Sequence, residues 1–137
     1  MLFRSVLATG LFVEHYQKYE VIWNGNGGET IMFQNEMPYD PPNQAAWRHK
    51  GVLGFASYKV ADSVTTHQGY GMGVYCFFNV DPSIHATRAF EVPVTPGVQL
   101  HDILDLSINS GTIDHIVNDT GPPTPPGVAI NPRVSFP

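Results

Sequence analysis

The sequence predicts an all-β fold and, within that class, a parallel β-helix. Three observations carry this. The 137 residues include 13 Gly and 12 Pro while only 14% are charged, a turn-rich profile rather than a helical one. Short apolar runs recur at close intervals with weak helical periodicity and no strand–helix alternation, which argues against a doubly wound α/β sheet. Two similar stretches, "FVEH" (12–15) and "FQNE" (33–36), put Glu14 and Glu36 22 residues apart, one plausible coil of a β-helix whose coils take about 20 residues. On periodicity alone a hairpin sandwich stays open, because the Asn-Gly turn in "NGNGG" (24–28) would suit a hairpin equally well.

The elements follow in order. "VLATGLFV" (6–13) reads as a buried strand, although with Arg4 before it the stretch resembles a signal peptide lacking a clean cleavage site. The opening "MLFRS" (1–5) is read as an artificial start, since Leu-Phe-Arg-Ser is what the end of a common sequencing adaptor encodes. "YEVIW" (19–23) alternates, with Tyr19, Val21 and Trp23 on one face. "ETIMFQNE" (29–36), "GVLGFASYKVA" (51–61), "GMGVYCFFNV" (71–80), "RAFEVPV" (88–94), "VQLHDILDLSIN" (98–109) and "GTIDHIVND" (111–119) are the further strands. These place the β domain over 1–121. The tail, 122–137, is Pro-rich and expected to be irregular and polyproline-like.

Composition narrows the partners. The net charge is −5 with no basic run, which argues against nucleic acid, whose phosphates demand clustered Lys and Arg. A neutral polymer such as a polysaccharide fits better. No apolar stretch is long enough to span a membrane as a helix. The single cysteine, Cys76, rules out an internal disulfide or a Cys-based zinc set, and its apolar setting "GVYCFF" predicts a buried small hydrophobe.

Among residues able to carry chemistry, paired carboxylates come first. If Glu14 and Glu36 stack on adjacent coils, repulsion raises one pKa, so that one group serves as an acid while the other stays ionised to orient or deprotonate a water. That is the logic of glycoside hydrolysis. The competing reading is two aligned surface charges. Trp23, Trp47, Tyr16, Tyr19 and Tyr39 surround the two glutamates in sequence and offer rings for sugar faces. Trp23 fits core packing better, whereas Tyr39, in the Pro-bounded loop "MPYDPP" (37–42), fits a ligand. Gln34 is a further substrate-binding candidate. So is His67, in the polar Gly-rich turn "TTHQGYGMG", where it would either line a cleft or bond backbone. His15 adjoins Glu14 and, on a continuing strand, would point the opposite way. The six histidines form no HxH or HExxH pattern, so no metal is expected. No GxSxG motif supports acyl chemistry, "GYGMG" lacks the context of a phosphate loop, and "NDT" (118–120) is a formal glycosylation sequon.

Residues 11–121, including "FVEHYQKYEVIWNGNGGETIMFQNEMPYDPPNQAAW", "GFASYKVADSVTTHQGYGMGVYCFFNVDPSIHATRAFEVPVTPGVQLHDILDLSI" and "GTIDHIVNDTG", resemble the family 55 glycoside hydrolases, exo-acting β-1,3-glucanases of fungi and bacteria. The resemblance implies two tandem right-handed parallel β-helices with the active site between them, of which this chain would supply the C-terminal coils of the second. The N-terminal β-helix of the same polypeptide would then be a missing partner. It implies release of glucose from the non-reducing end of β-1,3-glucan with inversion and without a cofactor, in a secreted parent protein. It places Glu36 of "QNEMPYD" at the general acid, Glu14 of "VEHYQKY" at a glutamate that holds and activates the attacking water, and Tyr39 at the glucose pocket. Residues from the first half of the cleft have no counterpart, so the 137 residues alone are expected to be inactive. A non-catalytic polysaccharide-binding module remains the second reading. A polysaccharide lyase is the third, weakened because Lys18, Arg48, Lys50, Lys59 and Arg88 do not sit among clustered Asp residues.

Overall fold

A computed structural model describes residues 5–127 and 131–137. All but one residue of the expected artificial start, and part of the tail, therefore lie outside the described residues. Eleven strands are present among those described: β1 (Leu7–Phe12), β2 (Val21–Trp23), β3 (Gly28–Glu36), β4 (Arg48–His49), β5 (Val52–Leu53), β6 (Tyr58–Val60), β7 (His67–Cys76), β8 (His85–Glu91), β9 (Val98–Ser107), β10 (Thr112–Val117) and β11 (Asn131–Phe136). Two sheets stack in the same order, β1-β3-β7-β9-β11 and β2-β6-β8-β10. Pairing between coils is parallel throughout: β1 with β3, β3 with β7, β7 with β9, and β2, β6, β8 and β10 in turn. Each coil contributes one strand to each sheet, which is a parallel β-helix and not a hairpin sandwich.

Register explains why this chain coils. Leu7 lies beside Glu29, Gly28 beside His67, and His67 beside Val98. Only the first coil has the short repeat read from the sequence; the next two are lengthened by loops. At one level each parallel strand of the first sheet interrupts its pleat with a left-handed residue: Gly10, Met32, Gly71 and Asp102, at φ 63, 62, 62 and 52°. They are skipped together in the register and so stack into a ladder. Glycine suits such a position, while Met32 and Asp102 occupy it against their steric preference. The residue after each bend, Leu11, Phe33, Met72 or Ile103, turns inward, and the last three are about 1% exposed. Across the interior Phe33 meets Tyr58 edge to face, with centroids 5.2 Å apart. Cys76 is fully buried, as its apolar setting predicts.

Three expectations are corrected. Residues 51–61 are not one strand: Gly54 interrupts them at φ 67°, β5 pairs antiparallel with β4, and only β6 joins the helix. The strand expected at 71–80 begins earlier, at His67, so "HQG" (67–69) is strand and not turn. The tail is not irregular throughout. β11 runs antiparallel on β9, and Thr124 donates a hydrogen bond to buried Asp105 at 3.0 Å. Pro132 is tolerated there because β11 is the outermost strand of its sheet.

Candidate active site

Glu36 is the last residue of β3, at the point where "MPYDPP" leaves the helix. Met37 keeps the coil register by donating its N–H to Tyr75 O at 2.8 Å, and its side chain is buried. Pro38 then starts the loop, and Tyr39 O accepts the N–H of Asn79 at 3.0 Å. The loop therefore turns back over the next coil, and the Tyr39 ring stands edge-on against Phe77, centroids 5.3 Å apart. From there the Tyr39 hydroxyl donates to Glu36 Oε2. That bond, with burial and the charges of Glu36 and Glu14 behind it, pushes the Tyr39 hydroxyl up to about 12, so it remains a donor at any working pH.

Glu14 occupies the same place one coil earlier. The β1–β3 register continues past the strand end, with Val13 N–H on Gln34 O at 3.3 Å and His15 N–H on Glu36 O at 2.9 Å, so the two glutamates are neighbours across a parallel pair. The Gln34 amide donates to Glu14 Oε1 at 3.4 Å. Gln34 also lines an open groove of about 340 Å³ that runs past Gly73 and Tyr75. His15 does not follow strand alternation. β1 ends at Phe12, and His15 sits at φ 65°. Its ring thereby reaches the glutamate side, with Nε2 3.3 Å from Glu36 Oε2 and centroids 4.4 Å from Tyr39. Gln17 ties this loop to the Tyr39 loop through Asp40 at 2.7 Å. Glu36 thus has two groups able to donate to one carboxylate oxygen, and Glu14 has one on the neighbouring strand.

Two residues beneath the pair were not singled out from the sequence. Asn35 is fully buried between Gln34 and Glu36, and its amide donates to Val13 O at 2.6 Å and Glu36 O at 3.3 Å. The signal was available: Phe33 faces inward, so Asn35, two residues on, must do so too. Glu20 closes the loop that follows Glu14, accepting the N–H of Tyr16 at 3.0 Å. Burial pushes its carboxyl up to about 7, opposed by hydrogen bonds from Asn35 and Tyr16 N–H and aided by the charge of Glu14.

Other candidates fall elsewhere. His67 lines no cleft: it is 1% exposed, packed 4.8 Å from the Trp23 ring and 3.0 Å from the Tyr58 hydroxyl. Burial lowers its pKa to about 4. Trp23 packs against the core, as its alternating strand predicts, and Trp47 is buried with its indole N–H on Gln17 O at 3.0 Å. Tyr19 turns to the β4–β5 hairpin and the residues after it, against His49 and Phe55. Tyr16 is exposed.

The family profile of the LAM55 pectate lyase-like domain matches residues 4–36. An exo-β-1,3-glucanase of Streptomyces sp. (strain SirexAA-E / ActE) is 53% identical over 135 residues, covering 97% of this chain and 22% of the relative. The solved structure of sacteLam55A from Streptomyces sp. SirexAA-E superposes with a TM-score of 0.93 at 52% identity, over 96% of this chain and 24% of that one. A glutamate-to-alanine variant of sacteLam55A in complex with glucose gives the same TM-score at 51% identity. The chain spans about a quarter of the length of the relatives it matches. By sequence and by fold the chain is similar to about a quarter of an exo-β-1,3-glucanase, and its residues 4–36 match the LAM55 pectate lyase-like domain.

Proposed function

We propose that this chain forms one wall of the active site of an inverting exo-β-1,3-glucanase. It would comprise the C-terminal coils of the second of two right-handed β-helices in a secreted parent, and would be inactive alone. The observation that supports this most directly is the placement of Glu14, two residues past the end of β1, beside Glu36 at the end of the adjacent β3, with Tyr39 and His15 converging on Glu36. Adjacent strands lie about 4.8 Å apart, and side chains that diverge from them can reach the roughly 6.5–9.5 Å separation that leaves room for a water.

Glu36 is the general acid. As it hands its proton to the leaving oxygen of the glycosidic bond, the charge developing on its carboxylate is met by the Tyr39 hydroxyl and the His15 ring, donors already in place. Glu14, steadied by Gln34, holds the attacking water and accepts its proton as the new C–O bond forms on the opposite face of the sugar. Tyr39 and Gln34 contact the glucose unit or the chain beyond it. The opposite wall comes from the preceding β-helix of the same polypeptide. β1 and β2 are the outermost strands of their sheets at that end, with Leu7, Phe12 and Ile22 at least half exposed, a surface suited to a further coil. At the other end the antiparallel β11 stops parallel propagation.

The test is Glu36→Gln in the full-length enzyme. Glucose release from laminarin should be abolished while laminarin binding by calorimetry persists. A wild-type rate would exclude Glu36 as the acid. Laminarin hydrolysis by the 137 residues alone would remove the need for a second wall.

A further inference from the structure

Two loops have to meet at Glu36. Residues 14–18 carry Glu14 and His15 and are all exposed, so little packing holds them. Residues 37–47 carry Tyr39 and are better anchored. Met37, Pro38, Pro41 and Trp47 are buried, and the two proline rings fix φ on either side of Tyr39 and Asp40. From these loops the His15 ring and the Tyr39 hydroxyl reach one oxygen, Glu36 Oε2, with His15 Nε2 at 3.3 Å. Where those two groups stand relative to each other depends on how one loop is seated on the other.

Gln17 supplies the seat. Its side-chain amide donates to Asp40 Oδ1 at 2.7 Å, and its backbone carbonyl accepts the indole N–H of Trp47 at 3.0 Å. It therefore holds the Tyr39 loop both near its start and at its end. Trp47 is itself fixed in the core, its ring centroid 5.0 Å from that of Phe78. The Gln17 amide thus leaves from a set point and reaches a carboxylate whose backbone is bounded by buried prolines, a short bond to a charged acceptor. Among the described residues, no other residue of 14–18 is hydrogen-bonded to 37–47.

We propose that Gln17 and Asp40 are positioning residues: their hydrogen bond seats the loop of Glu14 and His15 on the loop of Tyr39, so that His15 and Tyr39 meet Glu36 Oε2 together. The proposal rests on the reading of Glu36 as the general acid. Loss of the bond misplaces donors whose value lies in being fixed before charge develops on Glu36, so it acts on the chemical step more than on sugar binding.

The experiment is steady-state laminarin hydrolysis by the full-length enzyme and its Gln17→Ala, Gln17→Glu, Asp40→Ala, Asp40→Asn and double Gln17→Ala/Asp40→Ala variants. Both side chains are exposed, so these replacements should leave the fold intact. Gln17→Ala and Asp40→Ala should each lower kcat about 5- to 10-fold with KM changed less than about twofold. Gln17→Glu, equal in length but with no proton to give, should lose as much. Asp40→Asn keeps an acceptor and should retain most of kcat. The double variant should be no worse than either single one. An unchanged kcat in Gln17→Ala overturns the proposal, as do additive losses in the double variant or an Asp40→Asn as impaired as Asp40→Ala. A change confined to KM also overturns it, by making the two side chains substrate contacts. Glu36→Gln reports the acid assignment separately: an inactive Glu36→Gln beside a Gln17→Ala with wild-type kcat sinks the positioning role alone, whereas a wild-type rate in Glu36→Gln sinks the reading beneath it.

Discussion

Tyr58→Phe isolates the polar link that ties the coil delivering Glu36 to the opposite sheet. Tyr58, on β6, is fully buried, with its hydroxyl 2.7 Å from Thr30 Oγ1 on β3 and 3.0 Å from His67 Nε2 on β7. Thr30 is fully buried and His67 is 1% exposed, so neither recovers a partner from solvent. The substitution keeps the ring and opens no cavity; its cost is two polar groups each stripped of a partner. At about 1–3 kcal/mol for each unsatisfied group, and allowing for the hydroxyl no longer desolvated, the expected loss is about 2–4 kcal/mol. Urea unfolding followed by tryptophan fluorescence measures it, since Trp23 packs on His67. A loss below about 0.5 kcal/mol would refute the reasoning. The same burial holds the His67 pKa at about 4. Its contribution is present above the unfolded value of about 6.5 and is lost as the pH falls through 4, about 3 kcal/mol over that window. Glu20 and Asp105, both raised to about 7, act in the opposite sense and lose stability as the pH rises towards 7. The net pH curve therefore mixes signs, and the diagnostic is the His67 ring proton shift, whose midpoint should lie near 4 rather than near 6.5.

Two further outcomes are expected. Gly28→Ala would place a methyl group 2.1–2.4 Å from the Trp23 indole, which is wedged against His67; overpacking of this kind should cost about 2–3 kcal/mol in urea unfolding and change the tryptophan emission. Tyr39→Phe in the full-length enzyme removes a charge-assisted donor from Glu36, a carboxylate side chain about a quarter exposed. At the lower end of the range for such bonds, kcat should fall about 10- to 30-fold with KM little changed, and an unchanged kcat in steady-state laminarin assays would exclude the donor role.

Much of the coil architecture could be read from spacing because one coil is unadorned. Between Glu14 and Glu36 only the short loop before β2 and the Asn-Gly turn intervene, so the sequence repeat equals the structural repeat. The next two coils carry insertions, and there the period disappears from the sequence while persisting in the register. The strand at 51–61 was overextended for a related reason: apolar residues in an insertion that packs down on the helix look like apolar residues in a strand. The irregular tail was inferred from proline content, which describes the approach to β11 and not β11 itself, since an outermost strand needs only part of its hydrogen-bonding capacity.

The site divides along a different line. Glu36, Glu14 and Tyr39 were legible because each stands where a strand gives way to a turn, and turns announce themselves through Pro and Gly. His15 was missed because alternation was carried three residues past the end of β1, and one left-handed residue is enough to reverse the direction of a side chain. His67 was misplaced by the converse error, in which glycines were taken to mean a turn. Gly69 lies in β7 because an inward Cβ there would meet Met72 at 2.5 Å and Leu100 at 2.8 Å, while Gly71 supplies the left-handed bend of the ladder. Glycine in a β-helix thus has two uses besides turning the chain, close approach in the interior and the stacked corner, and neither exposes the residues beside it. Glu36 sits at the edge of that corner. Phe33 must turn inward after the bend for Asn35 to be buried and for Glu36, one residue on, to emerge beside Glu14, so Met32 at φ 62° helps set where the Glu36 carboxyl stands.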